Sequence, residues 1–106
     1  MGSPTQRTLK ELRKRGYPLV QVTERWNSFA QIRQDLFGFV DVLAVSPEHD
    51  TVAVQVTSSS NVSARVAKIT DSPALAVLRL AGWKILVHGW RKAANGRYVL
   101  REIDLS

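Results

Sequence analysis

The sequence predicts a single α/β domain with a central mixed sheet flanked by helices, and three observations carry that expectation. The chain has 106 residues, 44% hydrophobic and 23% charged, which suits one two-layer core and leaves no room for a second domain. Short apolar runs bounded by turn residues alternate with stretches of helical periodicity. Strands are joined by tight turns, with Asn95-Gly96 the strongest hairpin dipeptide, and by helical pieces that follow Ser58-Ser59-Ser60-Asn61.

Ser3 as N-cap, Pro4 at the first helical position and Gly16 past the end frame a helix over residues 4 to 15, with Leu9 and Leu12 inward. Residues 17 to 23 alternate around Leu19, Val20 and Val22 as a strand. Residues 25 to 34 are a polar connection in which Trp26, Phe29 and Ile32 are expected to anchor the chain to the core. Residues 38 to 45 and 51 to 57 are apolar strands joined by the turn Ser46-Pro47-Glu48-His49-Asp50. Ser58, Ser59, Ser60 and Asn61 offer N-caps for a helix over 61 to 70. A break at Asp71-Ser72-Pro73 precedes a second helical piece to Ala81. Residues 83 to 90 and 97 to 103 form a terminal hairpin, giving the order α-β-β-β-α-(α)-β-β without internal repeats.

Cysteine is absent and the two histidines are far apart, which excludes disulfides and cysteine- or histidine-rich metal cages and leaves a hard-metal carboxylate site open. No apolar run approaches the roughly 20 residues of a membrane helix, and the start lacks the order of a signal peptide. A cytoplasmic protein with no membrane partner and no small-molecule cofactor is expected. Fifteen basic against nine acidic side chains leave a formal charge of +6, a balance that suits a polyanion. Residues 1 to 34 carry seven basic and two acidic groups, residues 35 to 60 none and four, and residues 61 to 106 eight and three. Basic flanks around an acidic centre fit phosphate contacts around a cation, although charge runs are more often solvated faces, here two helices beside an acidic loop.

Asp41 interrupts the run Phe39-Val40-Asp41-Val42-Leu43-Ala44-Val45, and Gln55 interrupts Val52-Ala53-Val54-Gln55-Val56-Thr57. A charge within a buried strand must be paired, metal-bound or turned to solvent. If the two runs pair as a hairpin, Asp41 and Gln55 fall opposite each other, and Gln55 and Thr57 share a face. The Asp41 carboxylate, the Gln55 amide oxygen and the Val56 carbonyl are hard donors suited to Mg2+ or Mn2+.

The order of elements, with Gly38-Phe39-Val40-Asp41 and then Gln55-Val56-Thr57 after a short hairpin, resembles the PD-(D/E)xK nuclease superfamily. Within it, the small size and the Gly-x-x-Asp form are similar to archaeal-type Holliday junction resolvases and phage VRR-NUC nucleases. The resemblance implies a restriction-endonuclease-like αβββαβ core, a phage-encoded setting, a homodimer and a DNA substrate. It also implies that Asp41 binds the metal, that Gln55 stands where a second acid is usual, and that Thr57 stands where a lysine orients the attacking water. Thr57 cannot supply a cation, a term worth about 4 kcal/mol at 4 Å and an effective dielectric of 20. Asn61, Arg65 and Lys68 recur on one helix face, so Arg65 or Lys68 is expected to replace the missing lysine.

Asp35 either adds an acid to the metal site or caps the Gly38 turn. Glu11 and Glu24 read as surface acids, His49 as solvated, and His88 as a satisfied structural histidine. Lys10, Arg13, Arg25, Asn61, Arg91 and Lys92 are expected phosphate contacts, while Trp26, Trp83 and Trp90 read first as apolar fillers. The function expected is a metal-dependent endonuclease acting on branched or structured DNA, as in junction resolution during recombination. The alternative is a catalytically impaired nuclease-fold module that binds DNA.

Overall fold

The structure, a computed structural model, describes residues 3–106. Its helices are α1 (Pro4–Lys14), α2 (Val62–Thr70) and α3 (Ala74–Leu80). The strands are β1 (Leu19–Val22), β2 (Arg25–Asn27), β3 (Ile32–Gln34), β4 (Val42–Val45), β5 (Val52–Ser58), β6 (Lys84–Lys92) and β7 (Tyr98–Asp104). Five strands form a mixed sheet in the order β1-β4-β5-β6-β7, and β2 and β3 form a separate ribbon. Among the described residues only β5 and β6 pair in parallel, because a 3-10 turn (Ser59–Asn61), α2 and α3 carry the chain back across one face between them. Among the described residues no helix is long and apolar enough to cross a membrane.

Each face of the sheet is covered. Ser3 Oγ accepts from the Gln6 N–H and caps α1. Leu9 and Leu12 then pack on Val42, Ala44, Val52, Val54 and Leu86. The opposite face carries Phe39, Val40, Ala53, Ile85 and Val87 against Val62, Ile69, Leu75 and Leu78. Strand alternation assigns the even positions of β5 to α1 and the odd ones, including Gln55 and Thr57, to α2.

A polar chain crosses the α1 layer. The Trp90 indole N–H donates to Thr8 Oγ1 at 2.9 Å, and Thr8 Oγ1 lies 3.1 Å from His88 Nδ1. His88 Nε2 lies 2.7 Å from Glu102, which also accepts from Arg15. The Glu102 carboxylate can only accept, so Nε2 carries the proton and Thr8 donates to Nδ1. Burial lowers the His88 pKa more than Glu102 raises it, so the imidazole is neutral and satisfied, the structural role read from the sequence.

Three local expectations are corrected. Residues 25–34 form the β2–β3 ribbon, and Trp26, Phe29 and Ile32 are exposed on it instead of anchoring the core. Neither strand of the ribbon pairs with the main sheet, and all their residues but Asn27 are exposed. The strand expected from residue 38 begins at Val42, because Gly38, at φ 84°, sits in a turn closed by Gly38 N–H to the Asp35 carbonyl and Val40 N–H to the Leu36 carbonyl. That turn drives Phe39 and Val40 into the core. Neither Ser58 nor Asn61 caps a helix with its side chain; the 3-10 turn takes that place ahead of α2.

Gly89 marks the tightest approach of the crossover to the sheet. A Cβ there would lie 2.3 Å from Val62 Cγ2 and 3.0 Å from Ser59 Cα. Gly89→Ala is therefore expected to destabilise the protein by about 1–3 kcal/mol, the usual cost of overpacking a core, measured by urea denaturation. A change below roughly 0.5 kcal/mol would show that α2 is not held this close.

Candidate functional site

Asp41 is the residue before β4, and the backbone fixes it on both sides. Its N–H donates to the Val54 carbonyl at 2.9 Å and its carbonyl accepts from the Thr23 N–H at 2.8 Å. Its side chain is buried, at 4% exposure for the residue. Oδ2 accepts from Gln55 Nε2 at 2.6 Å and from the Val56 N–H at 2.8 Å. The hairpin thus places Asp41 opposite Gln55, as the pattern of interruptions anticipates. Val54 and Val56 turn their backbone polar groups toward β4, and the β4 ladder ends at Val42. The Val56 carbonyl therefore faces the same edge as the N–H that holds Asp41.

Two further acids meet this carboxyl. One oxygen each of Glu24, Asp35 and Asp41 lie within 4.8 Å of one another. The Asp35 carboxyl lies beside that of Asp41, and its backbone carbonyl, not its side chain, closes the Gly38 turn. The two roles open for Asp35 are thereby divided between side chain and main chain. Desolvation pushes the Asp41 pKa up to about 7; the neighbouring Asp35 carboxyl adds to it, against the Val56 and Gln55 donors. Near neutrality Asp41 is therefore partly protonated.

Gln55 is 2% exposed, and with Nε2 committed to Asp41 its Oε1 is buried without a partner. An orphaned amide oxygen beside converging carboxylates is an oxygen donor set of the kind that hard divalent cations take. Cations surround the acids. Arg33 pairs with Glu24 at 2.6 Å, and Lys68 Nζ reaches Asp35 at 3.8 Å. A cleft of about 870 Å³ opens here, lined by Thr23, Arg25, Gln34, Phe37 and Lys68 among others.

Of the two helical cations, Lys68 reaches the acidic cluster, while Arg65 is half-buried one turn earlier. Thr57 is buried two residues beyond Gln55. Arg25 lines the cleft, and Asn61 is exposed where α2 begins. Arg91 and Lys92 run past Trp90, the partner of Ser58, and so lie at the carboxyl end of the parallel strands. Lys10 and Arg13 belong to α1, across the sheet from Asp41, so the expected phosphate contacts do not form one surface.

The acid undervalued in the sequence is Glu24. Its signal was topological: β1 pairs antiparallel with β4 through Val22 and Val42, so the residues after Val22 pass the start of β4, where Asp41 sits.

Comparison with protein-family models, curated proteins and solved structures finds no match to this chain.

The raised Asp41 pKa fixes the sign of a pH effect. Between about pH 4 and 7 the folded protein holds a proton that the unfolded chain has released, so Asp41 costs stability as pH rises through that window and costs most above it. In EDTA, Asp41→Asn, which can still accept from Gln55 and Val56, is expected to raise Tm at pH 8 by about 5 °C, the effect of roughly 1 kcal/mol in a domain this size. At pH 4 the gain should vanish. An equal effect at both pH values in thermal denaturation would contradict the buried acid pair.

Proposed function

We propose that the protein is a metal-dependent DNA endonuclease with a restriction-endonuclease-like core, acting on branched or structured DNA in the manner of the nucleases its sequence resembles. The observation that carries the reading is the orphaned Gln55 Oε1 beside three converging carboxylates. Asp41, Asp35, Glu24 and Gln55 would hold Mg2+ or Mn2+, with the Val56 carbonyl facing the same edge. Such an ion would make water acidic enough to attack a phosphodiester at neutral pH and would offset the developing anion. Asp41 would give up its proton when such an ion binds. Lys68, drawn to Asp35, brings to the cleft the positive charge that Thr57 lacks, and Arg25 at the rim meets a neighbouring phosphate. The edge strand β7, with Tyr98 and Val99 partly exposed, offers a surface for a symmetric dimer, the arrangement that cutting two strands calls for.

A second reading is favoured by the same residues in another light. Gln55 contributes no charge and Lys68 is engaged by Asp35, which suits a nuclease-fold module that binds DNA without cutting it.

Purified protein incubated with Mg2+ or Mn2+ and junction, flap, single-stranded and duplex DNA separates the two. Metal-dependent cleavage is expected, reduced about 100-fold or more in Asp41→Ala, the scale on which loss of one preorganised group acts. The metal should also raise Tm in the wild type and not in that variant. Salt-sensitive binding without cleavage or metal-induced stabilisation would select the second reading, and cleavage surviving in Asp41→Ala would remove this site from the chemistry.

A further inference from the structure

The β2–β3 ribbon is the part of the fold that the sheet and its helices leave unexplained. It pairs only with itself, and two-stranded ribbons of this kind are marginal without apolar cover. It nevertheless displays Trp26 at 60% exposure and Phe29 at 100%, with Ile32 also exposed. Asn27 builds the tip, its Oδ1 accepting from the Phe29 and Ala30 N–H groups, so the Phe29 ring is presented on a structured turn. Just beyond the ribbon, Phe37 holds the left-handed conformation at φ 55°. That backbone is costly for an aromatic residue, and it leaves the ring 52% exposed at the cleft, tilted against Trp83.

Cations alternate with these rings. Arg33 is the cross-strand partner of Trp26, Arg25 is its chain neighbour, and both arginines line the cleft together with Phe37 and Lys68. Flat apolar faces interleaved with guanidinium and ammonium groups match the alternation of bases and phosphates along an unpaired strand. A paired duplex hides its base faces and could use the cations alone. An apolar protein partner would use the rings and gain nothing from the charges between them.

We infer that the β2–β3 ribbon and Phe37 form a platform for unpaired DNA, on which bases stack against Trp26, Phe29 and Phe37 while Arg25 and Lys68 hold phosphates. The inference rests on the DNA-directed reading of the cleft and narrows its substrate to DNA with single-stranded character, such as a flap or an opened branch point. It does not depend on hydrolysis.

The test is fluorescence anisotropy of the full chain with labelled dT20 and with a 20-base-pair duplex, in EDTA, where hydrolysis cannot obscure binding. The dT20 strand is expected to bind at least 10-fold more tightly than the duplex. Trp26→Ala with Phe29→Ala should weaken dT20 binding by 10-fold or more and leave the duplex within about 2-fold, as loss of stacking implies. Both side chains are exposed, so the variant should keep the wild-type circular dichroism, and Trp26→Tyr should restore most of the affinity. Unchanged dT20 binding by the double variant, or preference for the duplex, overturns the platform whatever the cleavage assay gives. So does self-association of the wild type in sedimentation that the double variant abolishes, which would assign the rings to a second copy. Normal platform binding with no cleavage in metal would instead retire the hydrolase and leave the platform standing.

Discussion

A buried carboxyl held by two donors of one neighbouring strand is the constraint around which this site is organised. Asp41 loses most of its hydration, and the Gln55 amide and the Val56 N–H are what the fold gives it in return. Both donors come from β5, so the carboxyl is fixed relative to the centre of the sheet and not to a loop. The Val54 and Thr23 backbone bonds hold its main chain between β5 and the end of β1. Two donors do not compensate a desolvated charge when Asp35 stands beside it, and the pKa near 7 expresses the remaining deficit.

Much of the surrounding arrangement follows from that deficit. Negative charge converges where β1 ends and β4 begins, and Arg33 and Lys68 approach from the ribbon and from α2 to offset it. The odd positions of β5 turn Gln55 and Thr57 toward α2, the helix that carries Lys68. The same alternation turns α1 away. Its lysines and arginines raise the net charge of the molecule while lying behind the sheet, and net charge therefore overstates what faces the cleft.

The two ends of the molecule treat polar burial differently. Around His88, the Trp90 indole N–H, the Thr8 hydroxyl and both imidazole nitrogens have partners, and Arg15 closes the chain on Glu102. Around Asp41, Gln55 Oε1 is left over and the carboxyl is pushed toward its protonated form. Complete satisfaction characterises a structural network, whereas an unsatisfied oxygen next to repelling carboxylates stores free energy that a ligand can release. That contrast, within one small domain, separates the structural histidine from the candidate centre.

Period-two patterning, capping and turn chemistry were enough to place α1, the β4–β5 hairpin, the helical crossover and the terminal hairpin. They also set Asp41 opposite Gln55, because a tight turn between two strands is a local device that fixes register. Local signals could not reveal that Glu24 joins Asp35 and Asp41, since that meeting depends on β1 pairing with β4 across the intervening ribbon. Nor could they tell whether Trp26 and Phe29 lie inside or outside. An aromatic side chain reads the same in sequence whether it fills a core or waits for a ligand, and only the position of the ribbon, away from any second apolar layer, decided it. The sequence by itself determined the strands and the pair of polar residues they carry. The tertiary structure decided which charges converge, because convergence depends on long-range pairing and on which face of the sheet each helix covers.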